Sequence, residues 1–110
     1  RVSIDTGFDI LPDVMIDTHY FKRMRTGRLL QSMELCRITH GIGLAEDTCI
    51  IVNPINMIAT VCGTNMVAFI DTTNSSSNLK TTQKKDKFSI HNVKTSYLAN
   101  GHTFNLTWWS

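Results

Sequence analysis

Asp13-Val14-Met15-Ile16-Asp17-Thr18-His19-Tyr20-Phe21-Lys22-Arg23-Met24-Arg25-Thr26-Gly27-Arg28-Leu29-Leu30-Gln31-Ser32-Met33-Glu34-Leu35-Cys36 carries two hydrophobic periods in succession. Val14-Met15-Ile16, an apolar run bounded by carboxylates, reads as a short buried strand. After Thr18-His19-Tyr20 the apolar residues Phe21, Met24, Leu29, Leu30, Met33 and Cys36 recur mainly at separations of three and four, one stripe of an amphipathic helix. Strand, polar turn, then helix is the unit from which α/β proteins build ligand sites, because the turn opens at the carboxyl end of the strand. Gly27 costs such a helix about 1 kcal/mol relative to alanine, so close packing is expected there.

Downstream the period shortens. Thr48-Cys49-Ile50-Ile51-Val52, Met57-Ile58-Ala59-Thr60-Val61 and Met66-Val67-Ala68-Phe69-Ile70 are β-rich, and Asn53-Pro54-Ile55-Asn56 and Gly63-Thr64-Asn65 supply turn residues between them. Consecutive antiparallel pairing is the expectation. Residues 72–87 are polar and of low complexity, which predicts a flexible loop. Two further strands are expected at about 88–98 and 103–109, joined through Asn100-Gly101. One βα unit and a β meander leave the first strand short of neighbours. The chain therefore reads as a piece of a larger α/β sheet, completed by another polypeptide or an amino-terminal half.

The bulk properties narrow the function. A length of 110 residues suits one small domain, and 42% hydrophobic residues suit a globular one. The net charge of +2 gives no footprint for nucleic acid, and no apolar run nears the roughly 20 residues of a membrane span. Arg1-Val2-Ser3-Ile4-Asp5 lacks the apolar core of a signal peptide, leaving any targeting segment absent or removed upstream. Lys80, Lys84, Lys85 and Lys87 lie among polar residues, as in a solvated loop. Lys22, Arg23, Arg25 and Arg28 form a second cluster, read either as a solvated helix face or as a pocket for carboxylates. Cys36, Cys49 and Cys62 lack zinc-site spacing, so buried free thiols are expected, with a disulfide to another chain as the alternative. Sequons at Asn74-Ser75-Ser76 and Asn105-Leu106-Thr107 favour a secreted glycoprotein over a cytoplasmic one, but only weakly. The four histidines have no acids at ligand spacing, so no metal is expected.

Three ordered blocks add a specific resemblance. Gly7-Phe8-Asp9-Ile10-Leu11-Pro12-Asp13-Val14-Met15-Ile16-Asp17-Thr18-His19-Tyr20-Phe21 resembles the cyanophycinase family of serine peptidases, where a leucine-proline pair and an apolar strand lead to Asp-Gln-His-Phe. Arg23-Met24-Arg25-Thr26-Gly27-Arg28-Leu29 matches the family's R-x-R-x-x-R-L, and Gly41-Ile42-Gly43-Leu44-Ala45-Glu46-Asp47-Thr48 matches its Gly-Ile-Gly segment ending in an acid and Asp-Thr. The resemblance implies the carboxy-terminal portion of a Rossmann-like sheet of the class I glutamine-amidotransferase type. It implies His19 as the catalytic base and Glu46 as the acid that orients it, with no cofactor. A serine in a Gly-rich elbow would come from outside these residues, on an amino-terminal chain in a hetero- or homo-oligomer. The chemistry fits the residue types: imidazole titrates near neutrality and can take a hydroxyl proton, and a carboxylate on its far nitrogen fixes the tautomer.

The same resemblance implies hydrolysis of β-aspartyl isopeptide links in a peptide substrate, with Arg23, Arg25 and Arg28 as pocket residues and Asp17 and Thr18 as substrate neighbours. Thr18 departs from the pattern, standing in the glutamine's place with a shorter side chain and no amide donors. The insertion at 72–87 is a second departure. The rival reading is a non-catalytic secreted binding protein, lectin-like or protein-binding, on the same scaffold. His40, His91 and His102 match no functional position and are expected to be solvent-facing or structural.

Overall fold

A computed structural model describes residues 11, 13–21, 25–78 and 88–110. The first strand, β1 (Val14–Asp17), leads through a turn to helix α1 (Arg25–Cys36). The helix thus begins after Phe21, which belongs to the turn. It stops at Arg37, whose φ of 56° is left-handed. The N–H of Ile38 then donates to the Met33 carbonyl (2.9 Å) and that of Arg37 to Glu34 (3.2 Å), the paired bonds of a Schellman cap.

Eight more strands follow: β2 (His40–Leu44), β3 (Thr48–Asn53), β4 (Ile58–Gly63), β5 (Val67–Asp71), β6 (Ser76–Ser77), β7 (Ile90–His91), β8 (Lys94–Leu98) and β9 (Thr103–Asn105). They form a four-stranded sheet in the order β1-β2-β5-β8, a three-stranded sheet β3-β4-β9, and the small pair β6-β7. Among the described strands only β1 and β2 run parallel; the remaining pairs are antiparallel.

This topology corrects the expected meander. β3 and β4 do form a hairpin, closed where the Met57 N–H donates to the Asn53 carbonyl (2.8 Å) and Met57 takes a φ of 57°. β5, however, leaves β4 and inserts between β2 and β8. The burial of β5 gives the reason: Val67, Ala68, Phe69 and Ile70 are all at most 1% exposed. A strand apolar on both faces needs cover on both, and only the centre of a layered structure supplies it. Val67 and Phe69 pack with Ile42, Leu44, Ile50, Val61 and Phe104 between the two sheets. Ala68 and Ile70 pack with Tyr20, Leu29 and Met33 beneath the helix. The molecule is thus three layers, helix, four-stranded sheet and three-stranded sheet. The last strands change likewise, since β8 pairs with β5 and β9 with β4, not with each other across Asn100-Gly101.

β2 was not foreseen as a strand. His40-Gly41-Ile42-Gly43-Leu44 sends Ile42 and Leu44 toward the second sheet and its two glycines toward the helical layer. A β-carbon on Gly43 would lie 2.2 Å from Cγ of Tyr20, and one on Gly41 would lie 2.6 Å from the Met33 sulfur. Gly27, by contrast, has no atom of a described residue within 4 Å of such an added carbon, so no close packing among the described residues accounts for it.

Other expectations also shift. Cys36 is exposed, and Cys49 and Cys62 are half-exposed, so the thiols are free but none is buried. Thr72 anchors the start of the polar segment: it is 6% exposed, and its N–H and hydroxyl both donate to the Thr39 carbonyl (2.8 and 3.2 Å). Residues 79–87, with their lysines, lie outside the described residues. His40 is structural, 3.7 Å from Asp71 and packed against Trp109 with ring centres 4.4 Å apart and planes tilted by 31°. Among the described residues no helix is long and apolar enough to cross a membrane.

Candidate active site

The parallel pairing of β1 and β2 sets the site. Asp17 lies opposite Gly43, so both strands leave the sheet at the same edge. His19 follows two residues after β1 ends and Glu46 two residues after β2 ends. Loops at the carboxyl ends of adjacent parallel strands converge, which is why α/β proteins place ligands there. His19 and Glu46 are both exposed, and both line a cleft of two adjoining lobes. One lobe, of about 410 Å³, also takes in Phe21, Thr64, Asn65, Met66 and Ala99. The other, of about 630 Å³, takes in Thr18, Asp47, Thr48, Cys49, Cys62 and Gly63.

Each loop is held by its own backbone bonds. The His19 N–H donates to Oδ1 of Asp17 (2.8 Å), an Asx turn that bends the chain away from β1. Asp17, expected as a substrate neighbour, therefore shapes the turn that carries His19. On the other side the Glu46 carbonyl accepts two bonds, from Oγ1 of Thr48 (2.9 Å) and Nδ2 of Asn65 (2.7 Å). The Asn65 N–H donates to Oγ1 of Thr48 (3.1 Å), and the Thr64 N–H to the Asp47 carbonyl (3.1 Å). Asp47 has a φ of 54°, the left-handed conformation that turns the chain from Glu46 into β3. Sequence reasoning read Gly63-Thr64-Asn65 only as a turn; its contact with Glu46 spans 19 positions and has no local signature.

The expected substrate residues divide. Thr18 lines the larger lobe and also a shallower depression with Met15, Ile16, Asp17, Arg28, Leu29 and Ser32. Arg28 thus reaches the neighbourhood of Asp17 and Thr18 from the helix, beside the cleft and outside its two lobes. Arg23 and the side chain of Arg25 lie outside the described residues. Of the sequon asparagines, Asn74 is exposed, whereas Asn105 spends Oδ1 on the N–H groups of Thr107 (2.9 Å) and Trp108 (3.0 Å).

Tyr20, next to His19, is 2% exposed under the sheet edge. Burial, and then the contact of its hydroxyl with that of Tyr97 at 3.5 Å, push its phenol up to about 12. A tyrosine in the unfolded chain titrates near 10, so folding favours the neutral phenol. The resulting stabilisation is complete below about pH 10 and is lost as pH rises toward 12. Stability should therefore hold to about pH 10 and fall beyond it. Phenolate absorbance should show one late-titrating group that Tyr20→Phe removes.

A βα unit with a histidine and a carboxylate facing one cleft at the carboxyl edge of its parallel strands belongs to the α/β class of proteins that site chemistry on such loops. Comparison with known sequences narrows the class. Over 106 residues the chain is 31% identical to the cyanophycinase of Synechococcus elongatus, taking in 96% of this chain and 33% of that protein. The cyanophycinase of Nostoc sp. is 29% identical over 106 residues, with coverage of 96% and 35%. That of Geminocystis herdmanii is 30% identical over 105 residues, with coverage of 94% and 38%. The chain is thus similar to cyanophycinases over nearly all of its own length, and it spans about a third of the length of the curated relatives it matches. No family model matches it.

Proposed function

We propose that this chain supplies the general base, His19, and the orienting acid, Glu46, of a serine-type peptidase acting on β-aspartyl or related amide bonds. The observation that carries the reading is that both residues line one cleft from the carboxyl ends of adjacent parallel strands. No serine is among the described residues lining that cleft, which supports a nucleophile from a part of the protein outside this chain. Among the described residues β1, a parallel strand, is paired on one side only, and its other edge is a fitting place for that part to add a strand.

In the reaction the hydroxyl adds to the amide carbonyl as the imidazole of His19 accepts its proton. The imidazolium then returns that proton to the departing amine, while Glu46 holds the ring in the productive tautomer. Arg28, beside Asp17 and Thr18, suits a substrate carboxylate. Thr18 cannot reproduce the contacts of the glutamine in its place, so altered substrate preference is part of the proposal.

The native protein is expected to hydrolyse at least one of a panel of β-aspartyl dipeptides that includes β-aspartyl-arginine, and to lose that activity on labelling with a fluorophosphonate. Failure to turn over any of them, with no label taken up, would leave the non-catalytic binding reading standing instead.

A further inference from the structure

The wall of the larger lobe holds two thiols in register. Cys49 on β3 lies directly opposite Cys62 on β4. Their neighbours Ile50 and Val61 point into the core, so the two cysteines point to the outer face, where both are half-exposed and free. Both line the lobe that also holds His19 and Glu46.

The ladder shows which kind of pair this is. The N–H of Val61 donates to His102, and its carbonyl accepts from Gly101, so Val61 bonds away from β3. The adjoining pair Cys49–Cys62 therefore exchanges bonds between β3 and β4, which sets its Cα atoms at about 5.5 Å. That separation is inside the window of about 4.4–6.8 Å for a disulfide, whereas β-carbons at such a site stand wider than the roughly 3.8 Å of a relaxed one. Closure must draw the strands together, and a bond made under that constraint is readily reduced.

We propose that Cys49 and Cys62 are a redox pair that forms a reversible cross-strand disulfide in the wall of the cleft. The oxidant is a low-molecular-weight disulfide such as glutathione disulfide. A thiolate of the pair attacks one of its sulfurs, forming a mixed disulfide and expelling one glutathione thiolate. The second cysteine, deprotonated, attacks the protein sulfur of that mixed disulfide and expels the second glutathione. Two protein thiols are oxidised, one disulfide is reduced, and the two thiol protons pass to the expelled thiolates, giving two molecules of glutathione. Cys36 is excluded from the pair by position: it ends α1 just before β2 begins, at the sheet edge opposite the cleft.

The test needs no turnover, so it stands apart from the peptidase reading. The native protein is reduced, equilibrated against a series of glutathione disulfide to glutathione ratios, trapped with iodoacetamide and weighed intact. The expected product has lost two hydrogens, and peptide mapping joins the segments holding Cys49 and Cys62. Cys36→Ser should leave this unchanged. Cys49→Ser and Cys62→Ser should each stop at a glutathione adduct on the remaining partner. Stable adducts on both cysteines of the unsubstituted protein, no reaction at either, or a link through Cys36 would overturn the proposal.

Discussion

Replacing His19 by alanine is expected to lower kcat for β-aspartyl dipeptide hydrolysis by about 10⁶-fold, and Glu46→Gln by about 10⁴-fold. The inequality follows from the roles. Without the imidazole nothing takes the hydroxyl proton. Without the carboxylate the imidazole is present but is no longer held in the tautomer that accepts at the right nitrogen. Stability should scarcely move, because both side chains are exposed at loop positions beyond the strand ends, where substitutions change stability by about 0.5 kcal/mol or less. Steady-state kinetics beside a urea titration separates loss of chemistry from loss of fold. A variant that unfolds at lower urea in step with its lost activity would speak for a structural role.

The second large effect is on the fold itself. Gly43→Ala is expected to cost about 3 kcal/mol, the upper part of the range for overpacking a core. The added carbon would lie 2.2 Å from Cγ and 2.6 Å from Cβ of Tyr20, and Tyr20 is too enclosed to step aside. Tyr20 follows His19 directly, so relief of the clash would also displace the turn that carries the base. Gly27→Ala is the contrasting case, with no atom of a described residue near the new carbon and a helical backbone that alanine prefers. It should gain about 0.5–1 kcal/mol. Urea midpoints at constant slope measure both changes, and an unaffected Gly43→Ala would mean that the strand–helix packing is looser than described.

These two glycines also show what the sequence could and could not disclose. The βα unit at 13–36 was legible because its apolar residues follow local periods, and the hairpin 48–63 because Asn53-Pro54-Ile55-Asn56 marks its turn. β2 was missed because Gly41 and Gly43 make a poor strand by propensity; only the distant ring of Tyr20 and the sulfur of Met33 explain them. The insertion of β5 between β2 and β8 was missed for a related reason. Val67-Ala68-Phe69-Ile70 announces burial on both faces, but which neighbours provide it is settled by pairing across 23 to 31 positions. In the site, His19 and Glu46 were picked out by their surrounding motifs. Thr48 and Asn65, which fasten the Glu46 loop, carry no motif. Cys49 and Cys62 came together only once the strand register was known.

The central claim is that His19 and Glu46 act as one unit, and a double-mutant cycle on kcat tests it most directly. Three variants are compared with the native protein: His19→Ala, Glu46→Gln and the two combined. If the carboxylate works only through the imidazole, the double variant should be about as slow as His19→Ala alone. Losses that multiply, so that Glu46→Gln slows the His19→Ala protein by its full factor of about 10⁴, would show that the two residues act independently and would contradict the account.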